Sequence, residues 1–223
     1  MRILTVWAGG GLKVFFLLVV VVLLVGGCSD AYYGAMEKVG VHKRDIMVDR
    51  VEEARDSQED AQEQFTSALE QFKSVVSLKE TDIKKAYDRL NAEYENSVAA
   101  ADEVTTRIDK VEDVAEALFE EWQEELELYQ NRDYKLSSRQ KLNKTRDRYQ
   151  QMLKKMHRAE KSMEPVLKIF RDNVLFLKHN LNAQAIGSLQ GEFASLQNEI
   201  GVLLDRMNAA IASSDEFIKE IKS

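Results

Sequence analysis

Between Met47 and Ile221 the apolar residues of this chain return, in four long segments, at alternating intervals of four and three, and Pro165 is the one proline of the sequence. A repeat of 3.5 residues keeps one stripe of a helix turned toward a neighbour along its whole length. The chain therefore has few ways to fold other than as long helices packed side by side. In a first segment, 41–76, the stripe is Met47, Val51, Ala54, Gln58, Ala61, Phe65, Ala68, Phe72 and Val75, and Gln58 alone breaks it. A second, 83–129, runs through Ile83, Tyr87, Leu90, Tyr94, Ser97, Ala101, Val104, Ile108, Val111, Ala115, Leu118, Trp122, Glu125 and Tyr129. At 1.5 Å per residue that helix is roughly 70 Å long.

A third stripe follows Leu142, Thr145, Tyr149, Met152, Met156, Ala159, Met163, Val166 and Phe170, then shifts by one residue to Val174, Leu177 and Leu181. The shift follows Pro165, which lacks a backbone donor and should bend the helix locally. The fourth runs through Ile186, Leu189, Phe193, Leu196, Ile200, Leu203, Met207, Ala210, Ser214, Phe217 and Ile221. Turns are expected at 77–82, capped by Ser77 or Thr81, and at 131–138, capped by Ser137 or Ser138. Asn180, Asn182 and Gly187 suggest a third turn, with one very long helix as the alternative. The expected fold is all-α: an elongated antiparallel helical bundle or coiled coil of three to four long helices.

The N-terminal segment is different. Val14 to Val25 is an unbroken apolar run, preceded by Arg2 and Lys13 and followed by Gly26, Gly27 and Cys28, the one cysteine of the chain. Twelve residues are too few for a spanning helix, which needs about 20. They fit the apolar core of a signal peptide. Val25-Gly26-Gly27-Cys28 resembles a bacterial lipobox, in which the cysteine is acylated and becomes the first residue after cleavage. Residues 1–27 then form a lipoprotein signal peptide, 28–40 a lipid anchor and short tether, and 41–223 the helical domain. An uncleaved anchor and ordinary secretion with a free thiol are the alternatives. Ser29, in place of an aspartate, resembles an outer-membrane address and implies a lipid-anchored protein facing the periplasm.

Beyond residue 27 the chain carries 29 basic and 38 acidic side chains. This balance argues against general nucleic-acid binding. The charges are also segregated. Residues 112–127 hold eight acids and no base, and residues 139–161 hold nine bases against Asp147 and Glu160. Folding back at 131–138 would lay the two stretches side by side. Arg139, Lys141, Lys144, Arg146, Arg148, Lys154, Lys155 and Arg158 are candidates either for neutralising that acidic helix or for contacting an anionic partner such as lipid phosphate.

Several segments resemble a family of bacterial lipoproteins known as a domain of unknown function. They are Tyr32-Tyr33-Gly34, Val41-His42-Lys43-Arg44-Asp45-Ile46, Thr145-Arg146-Asp147-Arg148-Tyr149 and, above all, Leu177-Lys178-His179-Asn180-Leu181-Asn182-Ala183. The resemblance spans about 31–223. It implies an all-helical envelope protein of Gram-negative bacteria and brings no activity, cofactor or catalytic residue with it.

The residues point to no chemistry of their own. A bundle di-metal site pairs glutamates with Glu-x-x-His, but Val39, Lys154 and Phe176 stand three before His42, His157 and His179. His42 with Asp45 and His157 with Glu160 share a helix face, as solvated polar pairs often do. No nucleophile elbow and no phosphate-cradling glycine loop occurs. The expectation is a non-enzymatic envelope adaptor without cofactor or metal. It is held to the membrane through Cys28 and binds an envelope protein or a second copy of itself. The alternative is a bundle taking an apolar or lipid-like ligand near 149–163, where Met152, Met156 and Met163 supply adaptable packing.

Overall fold

The computed structural model describes Tyr32, Tyr33, Met36 and residues 40–77, 83–180 and 183–222, with side chains of the last stretch from Ile186. The expected signal peptide, Cys28, the Thr81 cap and Leu181 lie outside the described residues. The chain divides after Asp45, and the bundle belongs to the unit Ile46–Ser223. Gly40 precedes it at φ 87°, a left-handed conformation that favours glycine.

Among the described residues four long helices carry the fold: α1 (Lys43–Ser77), α2 (Ile83–Leu128), α3 (Arg132–His179) and α4 (Ala183–Ile221). The 46 residues of α2 make a rod about 69 Å long. Cross-helix bonds fix the topology. Arg107 of α2 donates to Glu53 of α1 at 2.6 Å, and Gln64 of α1 donates to Glu93 of α2 at 2.9 Å, so those helices are antiparallel. Thr105 to Glu160 and Trp122 to Ser138, both 2.9 Å, set α2 against α3 in the same sense. Arg148 meets Glu220 at 3.3 Å between α3 and α4. The ring closes between α4 and α1. Lys222 bonds Glu52 at 2.7 Å, Arg55 bonds Asp215 at 3.1 Å, and Gln190 donates to the Val76 carbonyl at 3.0 Å. The result is an up-down-up-down four-helix bundle.

Its core follows the stripes, with Ile83, Tyr87, Tyr94, Trp122, Thr145 and Phe193 half-buried at its margin. All nine positions expected on α1, Gln58 included, are fully buried. On α3 the shift after Pro165 is present, with Phe170, Val174 and Leu177 buried, and the helix runs on through the proline. Four rings, one from each helix, cluster together, Phe72 and Phe170 fully buried and Tyr94 and Phe193 half-buried. Phe72 lies 6.0 Å edge-on to Phe170 and 6.2 Å stacked on Phe193, and Tyr94 lies 6.1 Å edge-on to Phe170.

Three local expectations are corrected. Ser137 and Ser138 cap nothing: α3 begins at Arg132, and Asn131 is its N-cap, accepting from the Asp133 and Tyr134 amides at 2.9 and 3.1 Å. Asparagine caps as well as serine and comes six residues earlier, so the turn closes before the serines are reached. Ser77 is likewise the last residue of α1 and not a cap of α2. On α2, Glu125 and Tyr129 are exposed and Leu126 takes the inner position. A straight helix drifts by about 20° per heptad, and after Leu118 nothing on α1 or α4 holds the 3.5 repeat. The alternative of a single helix for the last two segments is excluded, since α3 ends at His179 and α4 returns along it.

Candidate groove for an anionic partner

The eight basic residues singled out from the sequence do not form one site. Arg139, together with Lys135, meets Glu127 of α2, at 3.7 and 2.8 Å. Arg146 reaches Gln123 at 3.4 Å and lies over the Phe119 ring at 5.2 Å. These contacts lay the basic stretch along the acidic one, as the charge pattern suggested. Lys144 and Arg148 turn the other way and share Glu220 of α4. The Lys144 hydrogen bond, opposed by slight burial and helped by Arg148, holds the Glu220 carboxyl below its ordinary range. Lys141 and Lys154 are exposed.

The remaining two, Lys155 and Arg158, line a groove of about 940 Å³ between α3 and α4. They share it with Lys161, Glu164, Pro165 and Lys168 of α3, and with Asp205, Arg206 and Ala209 of α4. The spacing Lys155, Arg158, Lys161 puts three cations on one side of the buried Met152–Met156–Met163 row. Pro165 sits in the groove and leaves the Lys161 carbonyl without its helical donor. Five cations face two carboxylates, in a chain whose net charge is −7. None of the five is in an ion pair among the described residues. The local field is therefore positive where the whole chain is negative.

Lys161, Lys168 and Arg206 were missed as site residues. The row on α3 is visible as i, i+3 spacing once the seam is known. Arg206 had no signal, because only the pairing of α3 with α4 brings it there.

His157 bridges α2 and α3. Its Nδ1 lies 2.9 Å from Glu160 and its Nε2 3.2 Å from Glu112, and Thr105 donates to the same Glu160. Burial pulls the imidazole pKa down, but the hydrogen bonds and charges of Glu160 and Glu112 outweigh it and hold the pKa above 6.5. The stabilisation from this charged ring is thus complete below the unfolded value of about 6.5 and is lost as pH rises through the folded value. The ring is partly exposed, so the effect is a fraction of a kcal/mol. A thermal unfolding midpoint that falls slightly with rising pH, more in the native chain than in His157→Gln, is the expected result. Equal pH profiles would remove the ring from the ledger of cross-helix bonds. Among the described residues no group of three or more His, Cys, Asp or Glu could hold a metal ion.

A closed four-helix bundle with a cationic groove on its outer face is the class of protein that these features define. The chain belongs to the family described as protein of unknown function DUF2959, which matches residues 32–221. No curated protein and no solved structure matches it.

Proposed function

We propose that this chain is a non-enzymatic adaptor of the Gram-negative outer membrane. It is tethered by lipid on Cys28, faces the periplasm, and holds an acidic segment of another envelope protein in the α3–α4 groove. The observation that carries the reading is the set of five cations around Pro165 and Ala209, none of them ion-paired among the described residues. An acidic amphipathic segment would meet charge at the rim and alkyl stems below it. The bundle interior offers less to a ligand near residues 149–163. Met152 and Met156 are fully buried, and Tyr149 packs between Phe119 at 5.4 Å and Phe217 at 6.4 Å. Among the described residues no helix is long and apolar enough to cross a membrane.

A photo-crosslinking residue at Ala209, in living cells, should join the chain to one envelope protein. Arg158→Glu combined with Lys161→Glu should abolish that product with helicity unchanged, and added salt should weaken it. Equal yields from Ala209 and from exposed Thr66 on α1 would sink the groove as the docking site.

A further inference from the structure

The tip of the α2–α3 hairpin carries a feature that the groove does not use. Leu128, Tyr129, Tyr134 and Leu136 are four of the eight large apolar side chains exposed among the described residues, and they fall within nine positions. Leu128 is 75% and Tyr134 66% exposed. They do not sit on a loose loop. Asn131 caps α3, Lys135 ties to Glu127, Trp122 bonds Ser138, and Leu126 and Leu142 are buried behind the tip. A rigid hairpin thus holds apolar and aromatic groups in water, an arrangement that marks an interaction site.

The bundle does not cover this tip. Because Arg107 pairs with Glu53, Ile46, seven residues before Glu53, lies level with Val114 on antiparallel α2. Leu128 is 14 residues further on, about 21 Å beyond the level of Ile46. On the other side α4 stops at Ile221, beside the Lys144 and Arg148 contacts to Glu220. The hairpin therefore overhangs the end at which the chain enters the bundle. Eighteen residues connect Cys28 to Ile46, and whatever their path they span at most about 60 Å. The opposite end of α1, at Ser77, is about 47 Å further away.

We infer that Leu128, Tyr129, Tyr134 and Leu136 seat in the interfacial layer of the phospholipid bilayer that holds Cys28; this rests on the proposed lipid tether. Tyrosine rings suit the headgroup level and leucines the acyl boundary below it. The charges of Arg132 and Asp133, and of Lys135 and Glu127, cancel at the tip, which suits zwitterionic lipid. Lipid chains on Cys28 and a hairpin wedge are two membrane signals, and together they orient a bundle that one tether alone would leave to tumble.

The test uses the full lipidated chain in phosphatidylcholine vesicles, with Leu136→Cys as the labelling site for an environment-sensitive dye. The acylated Cys28 leaves no competing thiol. The expected result is a blue shift and loss of emission with lipids brominated near the headgroup, and neither change for the same dye at Val202→Cys on α4. Leu128→Ser with Tyr134→Ser should remove most of the quenching while the protein still sediments with vesicles. Sedimentation without quenching at position 136 overturns the inference and leaves the tether intact. Cys28 without acyl mass overturns the tether, and the inference with it. Crosslinks from position 136 to a protein in intact envelopes, without lipid quenching, overturn the inference in favour of a protein partner.

Discussion

Replacing Phe72 by alanine is expected to lower the stability of the bundle by about 3–5 kcal/mol. The ring is fully buried and touches aromatic rings of both α3 and α4, while Tyr94 of α2 completes the cluster through Phe170. Removing it strips contacts from three helices at once, and the flanking Ala68 is too small to fill the space. Phe72→Leu keeps most of the volume and should cost less than about 1.5 kcal/mol. Denaturant unfolding followed by circular dichroism measures both. A loss below about 1 kcal/mol for the alanine variant would mean that Phe72 does not pack in the core as described.

The second large effect has the opposite sign. Gln58 lies fully buried on the α1 seam between Ala54 and Ala61, and among the described residues neither its Nε2 nor its Oε1 has a hydrogen-bond partner. A buried amide without partners carries a desolvation penalty of about 1–3 kcal/mol. Gln58→Met has nearly the same length and no such penalty, so it should raise the unfolding midpoint by a corresponding amount. A drop in the midpoint would show that the amide is satisfied in solution. The native glutamine then makes sense as a device for register: a helix that slides by one heptad along α2 or α4 must move a polar group through an apolar seam.

The seam was legible because it is periodic, and the turns less so because they are local. Met47 through Val75, and Leu142 through Leu177 with its shift at Pro165, follow from spacing alone, since burial of one helix face imposes that spacing. Leu126 in place of Glu125 did not follow, because the 3.5 repeat holds only where neighbours enforce it, and α1 and α4 do not reach that far. Ser137 and Ser138 looked like caps because their residue type fits; Asn131 fits equally and comes first. At the candidate groove, Lys155 and Arg158 could be named from their own segment, but Arg206 belongs to it only through tertiary pairing. Lys144 and Arg148 were grouped with them by sequence proximity, whereas the helix turn between positions sends them to Glu220.

The Lys222–Glu52 bond has a topological meaning. Glu52 is six residues, about 9 Å of helix, inside Ile46, so the first and last residues of the bundle are neighbours. Four antiparallel helices in a ring have four joints, of which three are covalent and the fourth is this contact. A short linker would seal it, and the chain could then be opened between Ser77 and Ile83, or between Asn180 and Ala183, with every seam kept. Packing makes no demand on which of the four joints is left open, and a circularly permuted chain would present its new ends at the opposite pole of the same bundle.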